Sequence, residues 1–496
     1  PPRRPGPEDR QGSDGPDRRR YGLPGPVLSV SRWSALDSAI SGEVILPDTT
    51  GYELAYQALN ARFDHLRPQA VVRCRDPWDV VEAIRFAVQN GMAVVTRGGG
   101  HCFGGRSSTE GLLVDVTAMR SVDVSPDTVT VGGGARLGDV YGALLDHGRA
   151  IPGGSCPTVG VAGLTLGGGL GIIGRKHGLT SDHLVGARIV LADGGVVRCD
   201  EDHDEELFWA LRGGGAGNFG VVIELTFRTI PAPDATNFHL NWPSSEAAAA
   251  IEAWQAWSPS GPDELAASLV IGAGPEADEP PSVELFGVLL GTEADVDELL
   301  REPLARVGSD PTSSFRRQMT FRETIGYWGD RASRERAEGE PPGRELRGCR
   351  FIRSEFFRRP LTADAIGALL EILVTGRRQG ESRELDFSPW GGAYNRVPPE
   401  ATAFVHRGDR FWLKHAAEVD ADASDQAKGA AHRWAGRSWG IAHGSGTSRV
   451  FPNFPDPDLE DWPRAYFGGN LDRLRTVKGR YDPSNLFRFP QSLPPP

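Results

Sequence analysis

Three glycine-rich segments limit what this chain can fold into more than any other feature. They are RGGGHCFGG at 97–105, GGSCPTVGVAGLTLGGGLG at 153–171 and GGGAGNFG at 213–220. A backbone without Cβ can approach a ligand closely and turn its N–H groups inward, which suits a pyrophosphate. Gly supplies 63 of the 496 residues, against a usual ~7%. The excess is clustered, so it reads as binding loops and turns and not as a flexible polymer. Glycines that only serve turns are the plainer alternative, and three clusters between residues 97 and 220 weigh against it.

Two matches to G-x-G-x-x-G lie inside these clusters, at Gly169, Gly171 and Gly174 and at Gly215, Gly217 and Gly220. The dinucleotide fingerprint needs a strand before it and a helix after it. Gly220 is followed by VVIELTF, a strand, and GVAGLTLGG before Gly169 is no parallel strand. Neither match is therefore read as a Rossmann site, and the chain has no Walker A motif.

The formal charge of −12 disfavours phosphate backbones, so nucleic acid is not an expected partner. No run approaches the ~20 apolar residues that span a bilayer, so no membrane association is expected. The first 25 residues are polar and charged, without the apolar core of a signal peptide, and read as a disordered arm. The chain does not start with Met, so an earlier targeting segment could have been removed. Cys74, Cys102, Cys156, Cys199 and Cys349 are an odd, widely spaced set. They support neither a zinc site nor a disulfide framework, and the default is a reducing, cytoplasmic setting.

The texture changes along the chain. Residues 26–232 alternate short Val/Ile-rich runs, glycine turns and helices. PWDVVEAIRFAVQNG (77–91) predicts a helix with Val80, Val81, Ile84, Phe86 and Val88 on its apolar face and Gly91 at its stop. The strand MAVVTR follows it into the first glycine loop, and ARIVLADGGVVRC (187–199) predicts a hairpin. Residues 233–445 alternate helices with strands and predict a substrate domain, an antiparallel sheet covered by helices. The charged ERAEGEPPGRELRG reads as a surface loop. Residues 446–496, with a helix near Asn470 to Gly479, are rich in aromatics and should pack on something flat or greasy. The fold class is α+β.

His101 and Cys156 are the chemically pointed residues, each inside a glycine cluster where a side chain can reach a ligand. Singly, each has a plain explanation as a core or satisfied polar residue. Together, RGGGHCFGG, PGGSCPTVGVAGLTLGGGLGIIGRKHGLTSDHL, LRGGGAGNFGVV and YDPSNLFRFPQSL resemble, in order, the berberine bridge enzyme-like family, flavoproteins of the vanillyl-alcohol oxidase (PCMH) type. The resemblance spans about Val27 to Leu493. Gly98, where the family commonly has Ser, and Leu164, where it often has His, are small departures.

The resemblance implies one FAD per chain, bonded twice: by His101 to the methyl carbon on the flavin's benzene ring, and by Cys156 to a carbon of that same ring. It implies a two-part FAD module with the substrate domain inserted. FAD contacts are expected from Arg97, Gly98, Gly99, Gly100, Gly104, Val159, Gly160, Gly163, Gly168, Gly171, Gly220, Val221 and Asn485. The reaction implied is hydride removal from a small organic substrate, an alcohol of a sugar or secondary metabolite. In the family, Val three residues after the bonded Cys accompanies oxidases; Val159 therefore points to dioxygen as acceptor and hydrogen peroxide as product.

A base should take the hydroxyl proton. Tyr466, in AYFGGN, matches the segment that supplies a catalytic Tyr in several relatives, and Tyr394 is a second pocket tyrosine; Lys414 and Glu355 are weaker polar candidates. The alternatives are oxidative cyclisation of a secondary metabolite by the same chemistry, a redox-silent flavin binder, and an NADPH-dependent reductase with unbonded FAD, which has no use for Cys156. Oligomeric state is not legible.

Overall fold

The computed structural model describes residues 28–333 and 347–496. The N-terminal arm and most of the loop expected at 335–348 lie outside them. Three sheets organise the described chain. Strands β1 (Glu43–Ile45), β2 (Ala70–Arg73), β3 (Val94–Arg97) and β4 (Leu112–Asp115) form the first, in the order β1-β2-β4-β3. Strands β5 (Val122–Val124), β6 (Thr128–Gly132), β8 (Leu184–Val190), β9 (Val196–Cys199) and β10 (Val221–Arg228) form the second, in the order β5-β6-β10-β8-β9. Between and after these run β7 (Arg149–Ala150) and β11 (Ile230–Pro231), which pair with each other. The hairpin predicted at 187–199 is β8 and β9, turning at Asp193 to Gly195. Gly220 does lead into a strand, β10.

The helix Pro77–Gln89 starts where Asp76 caps it: its carboxylate accepts the N–H groups of Trp78 (2.8 Å) and Asp79 (3.1 Å), and Pro77 follows at a position that needs no N–H. Val80, Val81 and Ile84 are buried as expected, but Ala83 and Ala87 complete the inward face, while Phe86 is half-buried and Val88 is 52% exposed. Spacing outranks bulk, because a helix can turn only one stripe inward.

The third sheet has seven antiparallel strands: β12 (Ala235–Trp242), β13 (Leu265–Ala273), β14 (Ser282–Leu289), β15 (Ser313–Met319), β16 (Gly348–Phe357), β17 (Glu381–Pro389) and β18 (Phe411–Asp420), in the order β15-β12-β14-β13-β17-β18-β16. Side chains alternate between its faces. One face, with Leu265, Ala267, Leu269, Leu385, Phe387 and Leu413, packs on helices Ala247–Trp257, Glu293–Val307, Ala363–Val374 and Asp425–His443 in a single core. The last of these helices was not evident in the sequence.

On the other face the register sets up two rows. Phe315, His239, Phe286 and Ser268 stand side by side, followed by Ser388, Trp412 and Phe356. One step along lie Ser313, Asn241, Glu284, Val270, Asp386, Lys414 and Ser354.

The C-terminal segment returns to the first two sheets. Its helix Leu471–Tyr481 carries Lys478, which is fully buried. The ammonium donates to Asn218 O (2.7 Å), Phe487 O (2.8 Å) and the Asp482 carboxylate (2.6 Å). Asp482 also accepts the N–H groups of Leu486 and Phe487. Every proton of the ammonium is thus used, which is what a buried ion pair requires. The cluster ties the third glycine segment to the chain end. Lys478→Met should leave Asp482 buried without its cation and lower unfolding free energy by about 3–5 kcal/mol, measured by denaturant titration; a change under about 1 kcal/mol would show that the pair does not hold the tail.

Candidate active site

One large cavity, of about 600 Å³, opens between the glycine loops and the third sheet, and both His101 and Cys156 are on its wall. This size lies within the ~300–1,000 Å³ range of ligand sites. The first loop leaves β3 through Gly98–Gly100. Gly100 has φ +72°, a conformation that favours glycine and turns the chain into His101. The second loop is clamped on the start of the helix Leu137–Leu145, whose Leu137 and Gly138 N–H groups donate to Val159 O and Pro157 O, each at 2.9 Å. The Cys156 Sγ lies 3.2 Å from Thr158 Oγ1.

The two loops meet backbone to backbone. A Cβ on Gly99 would stand 2.3 Å from Gly160 N, and one on Gly160 would stand 2.6 Å from Gly99 N. One layer down, a Cβ on Gly98 would come within 2.9 Å of Gly133 O, and one on Gly133 within 2.1 Å of Val222 O. Glycine is needed here for close approach of main chain to main chain. The contact sets His101 and Cys156 on a shared wall.

Gly98, Gly99, Gly100, Val159, Gly160, Gly163, Gly171, Gly220 and Val221 also line the cavity. Four other expected contacts do not, nor does the expected base Tyr466. The Arg97 guanidinium turns away and donates to Ala55 O (2.8 Å) and Ser107 O (2.8 Å). It staples the start of the His101 loop to its end, because a buried guanidinium needs carbonyl partners; burial lowers its pKa to about 10. Gly104 makes room for Pro455, and Gly168, at φ +107°, packs against Phe404. Asn485 turns the chain after Asp482 at φ +51°.

Tyr466 lies in the core outside the cavity wall. Its hydroxyl accepts the Asp456 N–H (2.9 Å) and hydrogen-bonds Gln491 Oε1 (3.2 Å), while Arg106, itself on the wall, covers its ring. Burial raises its pKa, the wrong direction for a base. The motif located the segment, but not which of its aromatics would face inward. Phe451 and Phe454 do so instead, in keeping with the greasy contact expected of this region.

Tyr394 is on the wall, stacked on Trp390 with ring centroids 4.5 Å apart; its hydroxyl donates to Gly171 O (3.1 Å), and burial raises its pKa too. Glu355 is buried away from the cavity, held by His443 Nδ1 (2.8 Å) and Ser448 N (2.7 Å). Lys414 is on the wall. Sequence reasoning missed Ser268, Phe286, Trp328 and Ser388 there. No motif marks them; strand alternation was the only signal for Ser268, Phe286 and Ser388, and Trp328 comes from the helix Phe321–Ser333.

The wall suits a flavin dinucleotide. It offers an imidazole and a thiol as bonding atoms, glycine backbone along its length, and two buried polar atoms, Arg106 Nε and Ser107 Oγ, that have no partner in the protein. Orphaned polar atoms on a cavity wall favour a ligand that supplies their hydrogen bonds. Among the described residues no helix is long and apolar enough to cross a membrane, and no group of acidic, His and Cys side chains could hold a metal.

Residues 68–200 match the family model described as FAD binding domain, and residues 450–494 the one described as Berberine and berberine like. The chain is 31% identical to the uncharacterized FAD-linked oxidoreductase YgaK of Bacillus subtilis, over 92% of this chain and 97% of that one. It is 30% identical to a chitooligosaccharide oxidase of Gibberella zeae, over 84% and 85%. The solved structure of glucooligosaccharide oxidase from Acremonium strictum, with a 6-S-cysteinyl, 8α-N1-histidyl FAD, superposes with a TM-score of 0.83 at 26% identity, covering 94% of this chain and 99% of that one.

Two glycine substitutions separate packing from ligand space. A Cβ on Gly99 meets immovable backbone, whereas one on Gly163 meets nothing within 4 Å. Gly99→Ala should cost about 1–3 kcal/mol of stability. Gly163→Ala should leave the melting temperature of flavin-free protein within about 2 °C, since only an occupied cavity would feel its methyl group; equal destabilisation by both would refute this picture of the loops.

Proposed function

The chain belongs to the berberine bridge enzyme-like family of FAD-linked oxidoreductases, and on that premise we propose that His101 and Cys156 bond one FAD between them and that the enzyme oxidises a hydroxyl group of an oligosaccharide to a carbonyl. When bound, FAD supplies the hydride acceptor and passes the electrons to dioxygen, releasing hydrogen peroxide. The observation that carries this reading is the presence of both bonding atoms on one cavity wall.

The protein's own part is orientation. The Arg97 staple holds the His101 loop, and the helix start at Leu137 holds the Cys156 loop, so the two tethers come from separately braced segments. Two anchors would fix a ring more firmly than one. Val159 stands on the same wall, where its short side chain would leave room for dioxygen.

The oligosaccharide reading draws on the two sugar oxidases among the relatives and on the sheet side of the cavity. Phe286 and Trp328 form a tilted aromatic pair on the wall, centroids 5.4 Å apart. Arg331 lies over Phe286 and pairs with Glu284 at 2.9 Å; His239 Nε2 is 3.3 Å from the same carboxylate. The His239 imidazole and the Arg331 guanidinium beside it lower the Glu284 pKa to about 2, so it accepts hydrogen bonds across the neutral range. Ring faces that stack on sugar C–H groups, beside charged acceptors and donors for hydroxyls, are suited to a carbohydrate.

Acid precipitation tests the attachment. Flavin should stay with the wild-type chain, stay in part with His101→Ala or Cys156→Ala, and leave entirely with the double variant. Release of all flavin from wild type would end the two-bond reading. Anaerobic mixing with cellobiose, chitobiose or xylobiose should bleach the bound flavin, and air should restore it with one hydrogen peroxide per carbonyl.

A further inference from the structure

We propose that Ser388 and Asp386 form the exit for the substrate's hydroxyl proton: Ser388 takes it at the cavity wall, and Asp386 receives Ser388's own proton from behind. The inference rests on the hydroxyl-oxidising reading above and assigns its missing base.

Removing a hydride from a carbinol carbon is easier when its hydroxyl proton leaves at the same time, to a group within hydrogen-bond reach. Tyr466 is out of reach, and Tyr394 already donates to Gly171 O. No Asp or Glu is among the described residues of the wall. Behind the wall one carboxylate is connected to it through a hydroxyl. Ser388 Oγ, on the wall, donates to Asp386 Oδ1 at 3.1 Å. With that proton committed, both lone pairs of Ser388 Oγ can accept. One faces Ser268 Oγ, its neighbour across the sheet at 3.0 Å, and the other remains for a substrate hydroxyl.

The row beyond supplies Asp386 with a counter-ion. Lys414 is its register partner on β18, and Lys414 Nζ lies 3.0 Å from Asp386 Oδ2 and 2.8 Å from Glu384 Oε1. The ammonium occupies one carboxylate oxygen and leaves the other turned toward Ser388. Burial by itself would lower the Lys414 pKa, but the two carboxylates more than offset this and raise it, so Lys414 remains a cation and is not the base. The groups facing Asp386 are few: Lys414 across the pair, Glu384 on its own strand and uncharged Val270 on β13, with Phe454 lying over Lys414.

The balance is simple. The substrate O–H bond breaks and its proton passes to Ser388 Oγ as the Ser388 proton passes to Asp386 Oδ1. The O–H electron pair becomes the second carbon–oxygen bond while the C–H hydride, with its two electrons, leaves to FAD. The substrate is oxidised by two electrons, FAD is the immediate oxidant and dioxygen the final one.

The test is anaerobic flavin reduction by cellobiose, chitobiose and xylobiose across pH 4–9, with acid-stable flavin content measured alongside. Ser388→Ala should slow reduction by about 10²-fold or more while keeping its flavin, and Ser388→Thr, which restores the hydroxyl, should recover most of the rate. Asp386→Asn, which keeps the shape of the side chain but cannot take up a proton, should slow reduction by a similar factor with its flavin retained. Reduction of Ser388→Ala within about threefold of wild type, with an unchanged profile, overturns the relay and leaves the oxidase reading standing. Loss of rate that follows loss of attached flavin overturns it as well. If no sugar reduces the wild-type enzyme, the oligosaccharide reading falls and takes the relay with it.

Discussion

The site depends on a contact in which no side chain takes part. Gly99 and Gly160 lie main chain against main chain, with Gly98 on Gly133 and Gly133 on the Val222 carbonyl beneath them. The His101 loop grows out of the four-stranded sheet, and the Cys156 loop ends where the helix following β6 begins. A methyl group at any of these positions would push against backbone, which cannot swing aside as a side chain can. The glycine clusters are therefore structural before they are ligand-binding, and the second property follows from the first: loops this close present their peptide groups and their two reactive side chains to one volume.

What could be read in the residues, and what could not, divides along physical lines. Local signals were legible. The helix from Pro77 and the hairpin around Asp193-Gly194-Gly195 were read as such, and the strand after Gly220 excluded a dinucleotide fingerprint. Direction was harder to read. Phe86 and Val88 looked like core by bulk, yet Ala83 and Ala87 face inward by spacing. The helix Asp425–His443 is rich in Ala, Gly and Arg, so its inward residues, Ala431, Trp434 and Ala435, left a faint apolar stripe. Arg97 and Tyr466 sat in the right segments with side chains turned the other way, because their partners, Ser107 O and the Asp456 N–H, come from other turns of the chain.

Charge is arranged in depth around the cavity. The wall nearest the reactive side chains is glycine, aromatic and hydroxyl; the acids that matter stand one residue step back, each held by a cation. Glu284 is held by Arg331, and Asp386 by Lys414. Unpaired acids at the wall itself would be costly to keep ionised in so enclosed a place. Set behind a hydroxyl or an aromatic ring, they can act on what enters while their counter-ions bear the cost of desolvation.

The two faces of the seven-stranded sheet give the protein a further freedom. Odd-numbered residues of β13 and β17 knit the helices to the sheet, and the even-numbered ones between them stand on the opposite face, where Ala266, Ser268 and Ser388 line the cavity. Mutational drift on the even positions can therefore reshape substrate preference without loosening the scaffold. A lineage built on this frame can explore new substrates with its thermal stability largely intact.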